Sequence, residues 1–163
     1  MMEQEKPKRK VVYTALQAQK KAESYCAYQE RSQQEVRDKL YSWGLYPNEV
    51  ESVISELVLD NFINEERFAM AYVSGRFKMK QWGKIKIQQG LKIKGISPRL
   101  IKDSLDSIDM EEYLEQLSIL LEKKAKVLPE KDAYKRKMKL ANFASGKGFE
   151  SHFIFDILNN KDL

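Results

Sequence analysis

The segment VRDKLYSWGLYPNEV, residues 36–50, returns without a gap 51 residues later as IQQGLKIKGISPRLI. Apolar positions coincide: Val36 with Ile87, Leu40 with Leu91, Leu45 with Ile96 and Val50 with Ile101. The punctuating residues do too, Gly44 with Gly95 and Pro47 with Pro98. A weaker third copy lies 53 residues further on. It sets Leu140, Ala144, Gly148, Phe149, Ile154 and Leu158 under Ile87, Leu91, Gly95, Ile96, Ile101 and Leu105. A period of this size signals an array of small units that bury their cores partly against one another.

Taken alone, GKIKIQQGLKIKG (83–95) alternates apolar and basic residues, as a β-hairpin would. Its first copy rules for a helix. Ser32-Gln33-Gln34-Glu35 is a capping box, in which hydroxyl and carboxylate each satisfy an orphan backbone N–H. Val36, Leu40, Tyr41 and Trp43 follow, and Gly44 stops the helix in the left-handed conformation that glycine adopts cheaply. Pro47 opens the next helix, where its missing N–H costs nothing. Val50, Val53, Ile54 and Leu57 then share one face. By the same pattern Gly95 ends a helix, Ser97 caps the next and Pro98 opens it, while Gly90 weakens its own helix by about 1 kcal/mol relative to Ala.

Each repeat also has a leading helix. The first starts at the capping box Thr14-Ala15-Leu16-Gln17 and runs through Tyr28. The second starts at Asn64, with Glu65 and Glu66 complementing the helix dipole, and carries Phe68, Ala69, Tyr72, Val73 and Phe77. The third starts at Asp109 and carries Leu114, Leu117, Leu120 and Leu121. The expectation is an all-α, elongated array of three tandem three-helix repeats, nine helices in total. A polar tail (1–13) precedes repeats at 14–63, 64–108 and 109–163.

Charge is unevenly spread. Residues 1–60 carry nine Lys/Arg against ten Asp/Glu, and residues 109–163 carry ten against ten. Residues 61–108 carry ten against four, so the net +5 resides there. From Arg76 to Lys102 there are nine basic residues and no acid. A solvated face usually mixes signs, so this segment points to an anionic partner. The candidate binding residues are Arg76, Lys78, Lys80, Trp82, Lys84, Lys86, Lys92, Lys94, Arg99 and Lys102. Trp82 suits stacking or packing equally, whereas Tyr72 and Phe77 suit the core. A secondary basic face carries Lys135, Arg136, Lys137, Lys139 and Lys147, partly balanced by Glu130 and Asp132.

Catalysis finds little support. His152 is the sole histidine and suits a partly buried helix position. Glu65/Glu66 and Glu111/Glu112 fall in first helical turns, where dipole complementarity accounts for them. There is no P-loop, no Gly-x-Gly-x-x-Gly and no Cys/His cluster with metal spacing, so no cofactor or metal is expected. No apolar run approaches the ~18 residues of a membrane span, and MMEQEKPKRKVVY lacks the apolar core of a secretory signal. Cys26, the sole cysteine, forbids an intramolecular disulfide and suits a reducing cytoplasm.

The central unit, NEERFAMAYVSGRFKMKQWGKIKIQQGLKIKGIS, resembles the RecX regulators of the RecA recombinase. It shares their acidic start, Phe-Ala, aromatic and Arg, followed by Gly-x-x-x-Ile-x-x-x-Leu-x-x-x-Gly-Ile. RSQQEVRDKLYSWG in the first unit resembles the family's Arg-Ser-x-x-Glu-Leu-x-x-Lys-Leu-x-x-x-Gly. The resemblance covers residues 15–108 by motif and 109–160 by helical pattern. Two departures are Asn64, where Asp is common, and Gly90, where Glu is common. The resemblance implies a three-unit, helical, cytoplasmic modulator with no catalytic chemistry, and a monomer is expected. It also implies binding in the groove of the RecA filament, with single- or double-stranded DNA as a further partner, and restraint of ATP hydrolysis, strand exchange and filament growth. Two other readings use the same basic face: a nucleic-acid-binding helical module acting without a recombinase, and a scaffold for another acidic protein.

Overall fold

The computed structural model describes residues 13–163; most of the expected polar tail lies outside them. Among the described residues there are nine α-helices and no strand. They are α1 (Ala15–Tyr28), α2 (Gln33–Ser42), α3 (Pro47–Leu59), α4 (Glu65–Lys78), α5 (Lys84–Ile93), α6 (Pro98–Asp106), α7 (Met110–Val127), α8 (Ala133–Gly146) and α9 (Ser151–Asn160). The stretch 83–95 is therefore helical, and the hairpin reading is set aside.

The helix starts follow the sequence chemistry. Thr14 and Ser32 both form complete capping boxes, with Gln17 and Glu35. Asn64, Ser97 and Asp109 each accept from the backbone N–H three residues on, at 2.9, 3.4 and 3.0 Å. Pro47 and Pro98 occupy the first turns of α3 and α6. The repeat-equivalent glycines Gly44, Gly95 and Gly148 adopt φ of 88°, 75° and 95°, the left-handed stop inferred from their register.

Two compact units are present, one ending at Phe68 and one from Ala69 to Leu163. In the first, α1, α2 and α3 pack on one another. Its core includes Ala18, Ala22, Cys26, Val36, Leu40, Val50, Ile54 and Leu57, with Tyr13, Tyr25 and Trp43 packed at its edge. Burial pushes the Cys26 thiol up to about 11, so at neutral pH it is an inert, protonated core residue. In the second unit α5 lies along α6, and α7, α8 and α9 pack together. The repeat-equivalent residues Ile87, Leu91, Leu140, Ala144 and Ile154 are all buried.

Candidate partner-binding face

Helix α5 carries the centre of the basic stretch, and its start is unusual. Gly83 at the N-cap offers no side chain, and Lys84 and Lys86 put positive charge at the positive end of the dipole. The orphan donors are satisfied from the third repeat instead. Gly83 N–H donates to Lys147 O at 2.8 Å, Lys84 N–H to the Tyr113 hydroxyl at 3.0 Å, and Ile85 N–H to Gly148 O at 3.0 Å. Tyr113, fully buried, donates a hydrogen bond from its hydroxyl to the Glu150 carboxylate. Burial and that bond hold the phenol well above its ordinary range. Rings of Phe77 and Phe149 flank Tyr113 at 5.8 and 5.1 Å. The approach at Gly83 is so close that a Cβ there would sit 2.3 Å from the Gly148 carbonyl atoms.

Seven of the ten predicted binding residues fall on a ladder, a groove or a pair of α6 cations, with Lys102 on two of these. Arg76, Trp82 and Lys86 stack with Tyr72 as a ladder. The Arg76 guanidinium lies 4.8 Å from the Tyr72 ring and 5.1 Å from the Trp82 ring, and the Lys86 ammonium covers Trp82 at 4.6 Å. Trp82 is therefore half-buried between two cations, joining the packing and the surface readings. Gly90 gives the ladder its base: a Cβ there would sit 2.0 Å from the Tyr72 hydroxyl. Lys84, Lys92 and Lys102 line one groove between α5 and α6. Arg99 and Lys102 on α6 face Asp103 and Asp106 one turn on, at 3.9 and 3.0 Å, so their charge is locally compensated.

Exposure corrects part of the expected surface. Lys78, Lys80 and Lys92 stand in solvent as a binding face requires, but Lys84 and Lys94 are half-buried. Lys84 differs because its ammonium lies 5.2 Å over the Tyr113 ring. His152, expected to be partly buried, is exposed on α9 with its ring 4.0 Å from that of Phe153.

The secondary basic face is largely engaged within the chain. Arg136 donates to the carbonyls of Ala125, Leu128, Glu130 and Leu163, closing the C-terminal end of α7. Lys139 pairs with Glu130 at 3.0 Å, Lys137 donates to Asn159, and Lys135 is exposed on α8.

One cluster was not inferred from the sequence. In the first unit Lys21 lies 4.6 Å from the Tyr13 ring and 5.5 Å from that of Trp43. Arg31 covers Tyr25 at 3.8 Å. Balanced charge in that repeat concealed the pairing of cations with aromatics.

Among the described residues no group of His, Cys, Asp and Glu could hold a metal ion, and no helix is long and apolar enough to cross a membrane.

Three family models match this chain: the first three-helix domain of RecX over residues 18–57, the second over 64–105 and the third over 111–158. A protein called Regulatory protein RecX from Bacillus mycoides (strain KBAB4) is 31% identical over 131 residues, covering 80% of this chain and 48% of the relative. One of the same name from Clostridium perfringens (strain 13 / Type A) is 33% identical over 122 residues, 74% of this chain and 57% of the relative. The chain thus spans about half the length of the curated relatives it matches. The crystal structure of RecX from Lactobacillus salivarius superposes with a TM-score of 0.81 at 25% identity, covering 90% of this chain and 95% of that one.

Proposed function

Because this chain belongs to the RecX family of regulatory proteins, we propose that it is a non-catalytic regulator of the RecA recombinase. It binds the recombinase filament on single-stranded DNA and restrains ATP hydrolysis, strand exchange and filament growth. The observation that carries this reading is the acid-free run from Arg76 to Lys102 within the second family domain. A recombinase filament presents both acidic protein surface and phosphate, and cations held at the start of α5 and along its length are attracted to either. The site residues are those of the α4–α5–α6 segment, led by Lys78, Lys80, Lys86 and Lys92 with Trp82. The protein acts in the cytoplasm as a monomer of three three-helix repeats.

The deciding experiment is the ATPase rate of the cognate recombinase on single-stranded DNA, titrated with this protein. A dose-dependent fall supports the reading, and an unchanged rate at saturating protein rejects it. The alternative, a nucleic-acid module acting alone, is favoured by one observation, the Trp82 ring bracketed by Arg76 and Lys86. It requires submicromolar binding to bare DNA with a steep salt slope.

A further inference from the structure

A groove of about 560 Å³ lies between α5 and α6. Its floor is aliphatic, formed by Ile85, Pro98, Ile101 and Leu105, and Ile85 leaves 43% of its surface open to solvent. Lys84 and Lys92 stand on the α5 wall, separated by about 12 Å of helix rise. Two carboxylates also line the groove, and both are engaged: Glu150 by the Tyr113 hydroxyl and Asp106 by Lys102. Neither Lys84 nor Lys92 forms an ion pair among the described residues.

We propose that this groove docks an acidic amphipathic segment of the protein partner, with aliphatic side chains on the floor and carboxylates at Lys84 and Lys92. The assignment rests on the reading above, since the recombinase supplies the segment. Helix-in-groove recognition needs apolar anchors at helical spacing and a matching slot, and the slot is apolar below and cationic along one wall. Because neither lysine is in an ion pair, binding forms new ion pairs without breaking internal ones, the Lys84 ammonium sharing or exchanging its contact with the Tyr113 ring. A nucleic-acid occupant fits worse. The lining has no aromatic ring on which a base could stack, and its aliphatic floor gives a sugar-phosphate backbone no polar partner. The aromatic ladder at Trp82 is not part of this lining.

Two variants of the whole chain test the assignment. In the first, Gln88, a lining residue, is replaced by the photoreactive p-benzoylphenylalanine, and the protein is irradiated with purified recombinase on single-stranded DNA. The cross-link is expected on a recombinase segment in which Asp and Glu outnumber Lys and Arg and aliphatic residues recur every three or four positions. A cross-link to DNA, to a segment without those features, or none at all overturns the groove assignment. In the second, Ile85→Glu is expected to melt like the parent and to need at least tenfold more protein for half-maximal restraint of ATP hydrolysis. The control Ile93→Glu, at a position 80% exposed and outside the lining, is expected to shift it less than twofold. Equal shifts, or none at Ile85, overturn the assignment. If the parent itself fails to restrain hydrolysis, the functional reading falls and the groove with it. If the parent restrains and the Gln88 and Ile85 results fail, only the groove falls.

Discussion

Tyr113 is the residue on which the start of α5 depends. Its hydroxyl accepts from Lys84 N–H and donates to Glu150 inside a cage of phenylalanine rings. Tyr113→Phe leaves a backbone donor and a carboxylate short of a partner, which costs about 1–3 kcal/mol, measurable by urea unfolding. The sign with pH is fixed: a phenol pKa raised in the folded state stabilises fully below its ordinary 10.0 and loses that contribution as pH climbs beyond it. The parent should therefore weaken above about pH 10 more steeply than Tyr113→Phe. Gly83 is constrained by space. Gly83→Ala would drive a Cβ to 2.3 Å from the backbone of Gly148 and should cost at least about 1–3 kcal/mol, with the loss visible as a lower melting temperature. An unchanged melting temperature would mean that the two backbones are not in contact in solution.

At the scale of the helices, repeat register was the legible signal. Leu40 and Leu91 occupy equivalent positions and are both fully buried, so truncating either to Ala should destabilise by about 2–5 kcal/mol. Losses below about 1 kcal/mol at both, measured by denaturant unfolding, would mean that register does not report packing. The capping boxes at Thr14 and Ser32 and the left-handed glycines were readable because each depends on residues within one helical turn. The cap of α5 was not, since Lys147, Gly148 and Tyr113 lie far along the chain from Gly83. For the same reason Arg136 looked like surface charge: the four carbonyls that engage it come from two separate stretches, 125–130 and Leu163. Of the candidate site, the sequence reveals which residues are basic. It does not reveal which of them the fold half-buries, as at Lys84 over Tyr113.

For the whole molecule, the central claim is that the cations of the second repeat carry the binding. Lys78, Lys80 and Lys92 are exposed, and Lys86 is half-buried over Trp82. Reversing exposed charges on helices and turns changes stability by about 0.5 kcal/mol each, and losing the Lys86–Trp82 contact adds about 0.5–1 kcal/mol. Lost activity in a variant that still folds can then be assigned to binding. The comparison reversal in the first repeat, one residue fewer, uses Lys20, Lys21 and Lys39. Arg37 is left in place because its guanidinium is held by Glu51 at 2.8 Å. That control is demanding, since Lys21 and Lys39 also lie over aromatic rings. The most direct measurement is therefore recombinase ATPase on single-stranded DNA, titrated with the parent, with Lys78/Lys80/Lys86/Lys92→Glu and with Lys20/Lys21/Lys39→Glu, each checked by melting. The account predicts that the second-repeat variant folds but loses restraint by at least tenfold, about 1.4 kcal/mol or more in binding, while the first-repeat variant stays within about twofold of the parent, about 0.4 kcal/mol. A folded second-repeat variant that restrains hydrolysis as well as the parent would contradict it.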